Sequence, residues 1–177
     1  MELSHVIFFV LLLLLFVTER LLELRSAKRN FRTLLERGGR EFGASHYPIM
    51  VAMHSAFFVS LVVEFVLGSA SLTSFFAFPL ILLIAAQSLR IWVLRTMSNR
   101  WTTRVIVIPG EKLIRSGPFQ FFSHPNYVAV AIELFALPLI FGLYYTCLVF
   151  TVLNALVLLL IRVPCERNAL AWSQSKE

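Results

Sequence analysis

Apolar residues run almost unbroken from Leu3 to Val17, and the helical pattern continues through Glu19, Leu21, Leu22 and Leu24. Crossing about 30 Å of hydrocarbon takes about 20 mainly apolar residues, so this run predicts a first membrane span over 3–24. Four further runs predict spans over 47–67, 74–94, 127–141 and 144–163. The pattern is that of an all-α integral membrane protein of about five transmembrane helices, in one domain covering 1–177. No basic segment precedes the first run and no small-residue cleavage site follows it, so it reads as a retained span and not as a signal peptide. Gly68, Ser69, Ser71 and Thr73 form an uncharged turn that makes spans two and three a hairpin. Apolar continuity is lost between Arg95 and Asn126. There Val105 to Ile108 is a β-branched run closed by Pro109-Gly110, which predicts an irregular or partly strand-like segment.

Composition agrees: 58% of residues are hydrophobic and mean hydropathy is +0.79, whereas about half of a globular chain is apolar. The length of 177 residues leaves no room for a separate soluble nucleotide-binding domain, so any chemistry sits on or between the spans. The net charge of +6 lies mainly in two blocks beside apolar runs. One holds Arg20, Arg25, Lys28, Arg29, Arg32, Arg37 and Arg40, with Gly38-Gly39 breaking the helix; the other holds Arg95, Arg100, Arg104, Lys112 and Arg115. That distribution is juxtamembrane, which argues against a nucleic-acid partner and places both blocks on the cytoplasmic side. The N-terminus is then outside, and Arg162, Arg167 and Lys176 place the C-terminus inside. Cys147 and Cys165 lack the spacing of a metal site or a disulfide framework and read as packing residues.

Polar residues inside spans are costly and therefore candidates for function: His54, Glu64, Gln87, Glu133 and Asn154. Glu64 lies near the outer end of its span, where it faces the interface. Glu133, about two turns into span four, either lines a substrate cleft or ties helices together. The densest chemistry is Ser116-Gly117-Pro118-Phe119-Gln120-Phe121-Phe122-Ser123-His124-Pro125-Asn126-Tyr127, answered by Arg162-Val163-Pro164-Cys165-Glu166-Arg167. Both segments fall on one membrane face. Pro125 biases His124 away from the α region and turns its imidazole out of the helix line. Gly117 and Pro118 impose a tight turn, Asn126 is placed to cap the next helix, and Phe119 and Tyr127 bring two flat faces near one another. Arg162 and Glu166 share a helix face at i,i+4, and Pro164 argues for a kink with a pocket beside it. The plain alternatives are a helix-capping interfacial His and a solvated ion pair.

These stretches resemble the isoprenylcysteine carboxyl methyltransferases and their bacterial relatives, whose hallmark is Gly-x-Tyr-x-x-x-Arg-His-Pro-x-Tyr followed later by Arg-x-x-x-Glu. Arg90-Ile91-Trp92, Arg100-Trp101-Thr102, Val107-Ile108-Pro109-Gly110, Glu19-Arg20-Leu21 and Ser45-His46-Tyr47 look like the bacterial branch associated with O-methylation of alkylpyrones. The resemblance implies S-adenosylmethionine as cofactor, bound at the cytosolic face by segments near 101–127 and 162–170. Leu113, Gly117, Pro118, Phe119, His124, Pro125, Tyr127 and Glu166 would contact it. Trp101, Glu133 and Arg162 would meet a lipophilic acceptor arriving from the bilayer, with Arg162 and Glu166 catalytic. The acceptor it implies is isoprenylcysteine-like, a fatty carboxylate or an alkylpyrone enol. The chain departs from the pattern at Ser123, where a basic residue is usual, at Phe119, where Tyr is common, and at Asn168, near which a second acidic residue is often found. Two other classes stay open: an NADPH-dependent membrane reductase of the steroid 5α-reductase type, and a non-catalytic membrane scaffold or transporter.

Overall fold

The structure is a computed structural model that describes residues 2–68 and 71–175. Ser69 of the predicted turn and Lys176 of the basic tail lie outside the described residues. Helix α1 spans Leu3–Glu36, α2 Tyr47–Leu67, α3 Ala77–Met97, α4 Pro125–Ile140, α5 Tyr144–Val157 and α6 Val163–Gln174. Four helical runs are long and apolar enough to cross a membrane: Leu3–Glu36, Ala44–Leu67, Ala77–Arg100 and Tyr144–Gln174. The shorter α4 is apolar as well. Side chains such as Leu11, Leu14, Ile81 and Leu148 are exposed in the isolated chain, as lipid-facing positions must be.

The helix boundaries follow tertiary partners. The first helix runs twelve residues past its expected end at Leu24 because one stripe of α1 keeps finding contacts. Phe9 and Phe16 are buried, Arg20 and Glu23 are ion-paired, Ala27 and Leu34 are buried, and Asn30 is hydrogen-bonded. These positions are spaced by three and four, or by seven, and so share a face. The third helix starts at Ala77 and not at 74. Thr73 instead donates from its backbone N–H to the Ile140 carbonyl at 3.1 Å, which ties the preceding turn to the end of α4.

Between α1, α3 and α4 lies a ring of four charges. Arg20 donates to Glu23 at 2.6 Å and to Glu133 at 2.6 Å. Arg90 donates to Glu23 at 2.5 and 2.6 Å and reaches Glu133 at 3.2 Å. Gln87 adds a bond to Glu19 at 2.9 Å. Arg20, expected in the basic loop, is therefore turned inward; two carboxylates waiting on neighbouring helices are a better partner for a guanidinium than lipid is. Of the two roles open to Glu133, the structure displays the helix tie. Glu64, near the end of its span, also caps another helix: its carboxylate accepts from the backbone N–H of Tyr145 at 3.1 Å and of Thr146 at 2.7 Å at the start of α5.

Above an aromatic core in which Phe9 stacks on Phe65 at 3.8 Å, the basic face carries a small antiparallel ribbon. Strand β1 (Arg40–Phe42) pairs with β2 (Val105–Val107), with Glu41 opposite Ile106. The β2 strand fits the β-branched run; β1, only three residues long, carries no alternation that would announce it. Helix α6 lies on this ribbon, with Ser173 donating to the Ile108 carbonyl at 3.1 Å and Arg40 over the Trp172 ring at 4.9 Å.

Removing one partner from a buried ion pair leaves an uncompensated charge and costs about 3–5 kcal/mol. Glu133→Ala is thus expected to lower the thermal unfolding midpoint in detergent far more than Glu64→Ala, which loses a cap worth about 1 kcal/mol. Equal shifts for the two variants would refute the ring's dominance.

Candidate active site

Proline 164 has no N–H to offer the preceding turn. Just ahead of this residue the helix widens into a π-turn over Leu158–Arg162 before α6 begins. This puts Arg162, buried at 6% exposure, at the last position of the turn. Its guanidinium donates from Nε to the Tyr127 hydroxyl at 2.9 Å and to Glu166 Oε1 at 3.3 Å, and from Nη2 to the Thr103 carbonyl at 3.0 Å. The Tyr127 hydroxyl donates in turn to Glu166 Oε1.

His124 supplies the fourth member. Its backbone sits at φ −134°, ψ 65°, outside the α region as the following proline requires, and its side chain makes no helix cap. Freed from capping, Nδ1 lies 3.2 Å from Glu166 Oε2, and the ring stacks on Tyr127 with centroids 5.2 Å apart. Both carboxylate oxygens of Glu166 are thereby engaged. The residue lies on α6, past the apolar stretch of the preceding helix. Burial by itself raises its pKa, but the hydrogen bond from His124, the charge of Arg162 and the Tyr127 hydroxyl together hold it below the usual carboxylate value. Side-chain exposure grades from 7% at Arg162 through 24% at Glu166 to 36% at His124, so the cluster opens toward the basic face.

Surrounding elements hold the cluster in place. Asn30 of α1 donates to the Trp101 carbonyl at 2.8 Å. Arg104 packs over Tyr47 at 4.3 Å while pairing with Glu41 at 2.7 Å, and Tyr47 and Thr103 share a hydroxyl hydrogen bond at 3.2 Å. The loop that delivers the Thr103 carbonyl to Arg162 is thus fastened to three elements. Gly117 adopts φ +60°, and a Cβ there would meet Thr96 Oγ1 at 2.5 Å and Trp92 Nε1 at 3.2 Å, so the Gly117–Gln120 turn can lie against α3 only with glycine at this position. Two buried polar atoms close to the cluster have no partner: His46 Nε2 and Asn126 Oδ1. A Cβ on Gly43 would strike both His46 and Cys165, which shows that His46 lies beside the residue preceding Glu166. Burial and the charge of Arg162 push the His46 pKa down, favouring neutral imidazole.

Of the residues named from sequence, the structure joins His124, Tyr127, Arg162 and Glu166, with Pro125 at the first turn of α4 and Pro118 buried in the turn before it. Phe119 does not face Tyr127. It packs with Ala27, Val93 and the buried Trp101, and the aromatic partner of Tyr127 is His124. Asn126 makes no cap, because α4 begins one residue before it. Leu113 is exposed in the loop after β2. Glu133 stands six residues beyond Tyr127 on α4, about 9 Å further along the helix. Thr103 and His46 lie outside the two motif stretches; a backbone carbonyl leaves no mark in sequence, while His46 carries the signal of its Ser45-His46-Tyr47 context.

Residues 79–172, more than half of the chain, match the model of the isoprenylcysteine carboxyl methyltransferase (ICMT) family. The matched stretch takes in every hydrogen-bonded member of the cluster. The chain belongs to the ICMT family. It is similar to the uncharacterized protein YpbQ of Bacillus subtilis, at 35% identity over 162 residues, 92% of this chain and 96% of the relative. It is also similar to an uncharacterized protein of Haemophilus influenzae, at 27% identity over 144 residues, 81% and 83% of the two chains. No solved structure matches the chain. ICMT proteins are membrane-embedded methyltransferases, and the apolar helices of this member are the frame of such an enzyme.

Tyr127→Phe deletes the hydroxyl that bridges Arg162 and Glu166, leaving charged groups partly unmatched at about 1–3 kcal/mol. The variant is expected to unfold earlier in detergent than the parent. An unchanged midpoint would mean that the hydroxyl bridges nothing.

Proposed function

We propose that this ICMT member is an S-adenosylmethionine-dependent O-methyltransferase that methylates a lipophilic oxygen acid, an isoprenylcysteine-like or fatty carboxylate or an alkylpyrone enol. We place it in the bacterial cytoplasmic membrane, with its N-terminus outside and the site on the cytoplasmic face, following the charge of the loops. The observation that carries the reading is the pairing of a buried arginine with a partly exposed, charge-stabilised carboxylate at one end of an apolar helix bundle.

The residues present suit the methyl donor. Glu166 offers an anion to an ammonium or sulfonium, the stacked His124 and Tyr127 rings offer aromatic faces, and the unpartnered His46 Nε2 and Asn126 Oδ1 offer two further polar atoms. When bound, S-adenosylmethionine supplies an electrophilic methyl group on a sulfonium. Arg162 then orients the acceptor oxyanion, exchanging part of its present hydrogen bonding for it. Glu166 fixes the donor side, and His124 holds the Glu166 carboxylate in register. A carboxylate or acidic enol is ionised near neutrality, so no side chain has to remove a proton. Rate comes from alignment and exclusion of water, to which the packed Trp101 and Pro118 contribute. Helices that face lipid admit an acceptor sideways, and each methylene of its tail adds about 0.8 kcal/mol of partitioning.

Calorimetry on the detergent-purified chain should detect S-adenosylhomocysteine and not NADPH; the reverse would move the chain's chemistry to a reductase. His124→Ala and Glu166→Ala should each weaken that binding by about tenfold or more. Arg162→Ala should lower turnover more than donor affinity. Membranes given radiolabelled S-adenosylmethionine should label long-chain oxygen acids; label confined to water-soluble acceptors or to amines would remove the acceptor assignment while leaving methyl transfer intact.

A further inference from the structure

The basic residues of the loops divide into paired and unpaired ones, and exposed Arg95, Lys112 and Arg115 belong with the unpaired among the described residues. Arg37 and Arg100 pair with Glu111, Arg104 pairs with Glu41, and Arg40 lies over Trp172. Arg25, Lys28, Arg29 and Arg32 make no side-chain contact of this kind among the described residues, and all four are exposed. Their spacing of three, four and seven gathers them on one face of α1. The opposite face of the same turns carries Ala27, Asn30, Phe31 and Leu34, which pack on the rest of the protein. Among the described residues no acidic side chain is ion-paired with the outer stripe.

Its height in the membrane is set by its neighbours. Exposed Leu21, Leu22 and Leu24 end the lipid-facing belt of α1, and Arg25 follows at once. From Leu3, about 30 Å of hydrocarbon is used up in about 20 residues. The stripe from Arg25 to Arg32 rises about 10 Å more, through the headgroup layer of about 5–7 Å and just beyond it. Long cationic side chains there can bend back toward phosphates.

We infer that the Arg25–Lys28–Arg29–Arg32 face of α1 is a binding surface for the headgroups of anionic phospholipids, held against the protein in preference to zwitterionic ones. The inference is independent of the methyltransferase reading. An acidic protein would also complement the charge, but the stripe continues the lipid-facing belt without a break, and the bilayer is the partner already touching its lower edge.

Native mass spectrometry of the full chain, equilibrated with phosphatidylglycerol and phosphatidylcholine of matched chain length, tests it. The parent should retain phosphatidylglycerol preferentially, and the preference should shrink as ionic strength rises. Lys28→Gln with Arg29→Gln should reduce it by about tenfold, whereas Lys112→Gln with Arg115→Gln, removing equal charge elsewhere on the same face, should leave it nearly intact. No preference in the parent, a preference indifferent to salt, or equal loss in both double variants would overturn the proposal. The parent's salt series decides the matter even if a variant fails to fold.

Discussion

Four charges between three helices set the geometry on which the rest of this protein depends. Inside a bilayer, helices gain little from apolar burial against one another, since lipid is as apolar as leucine. Shape and polar contact must then fix which faces meet. Arg20 and Glu23 on α1, Arg90 on α3 and Glu133 on α4 form a closed set in which each charge faces opposite charges on more than one side. That fixes the rotation of α1 about its axis. The same stripe, two turns on, carries Ala27 and Asn30, so the ring also decides that Asn30 meets the Trp101 carbonyl and that the following loop offers Thr103 to Arg162.

The ICMT assignment gains physical content from this linkage. The family match covers 79–172, yet three supports of the cluster come from outside it: the α1 extension, the β1 strand that pairs with β2, and Tyr47 at the start of α2. The N-terminal helix is a membrane span and also a strut that reaches past the bilayer to hold the site loop. The chemistry-bearing residues lie at the start of α4, at the end of the π-turn and on α6, but the rigidity that pre-organises them is distributed over the chain.

Much of this was legible in the sequence. The apolar runs gave the helices, and Pro125 and Pro164 marked where regular structure yields to site geometry. The His124-to-Tyr127 and Arg162-to-Glu166 stretches do meet. What stayed hidden was pairwise. Arg20 sits at the border of an apolar run and reads as the start of a basic loop; its inward turn depends on Glu133, more than a hundred residues away. Glu64 reads as interfacial because its partner is a helix N-terminus, and every helix has one of those. Phe119 and Tyr127 looked adjacent by spacing, but a short turn rotates Phe119 toward α3, a rotation that spacing does not encode.

The π-turn at Leu158–Arg162 can be read as a change of phase. An α-helix advances 100° per residue, and a π-turn holds one residue more than the ladder expects. The run Tyr144–Gln174 therefore behaves as two helices offset by about one residue's rotation. A single helical wheel drawn through all of it blends the lipid-facing Leu159 and Leu160 with the face that carries Arg162 and Glu166, and no continuous amphipathic stripe emerges. Loss of one residue from this turn would bring the two wheels into alignment with Glu166 facing as it does now, whereas tightening the turn to a regular α-helix without that loss would swing Glu166 about a quarter-turn away from His124.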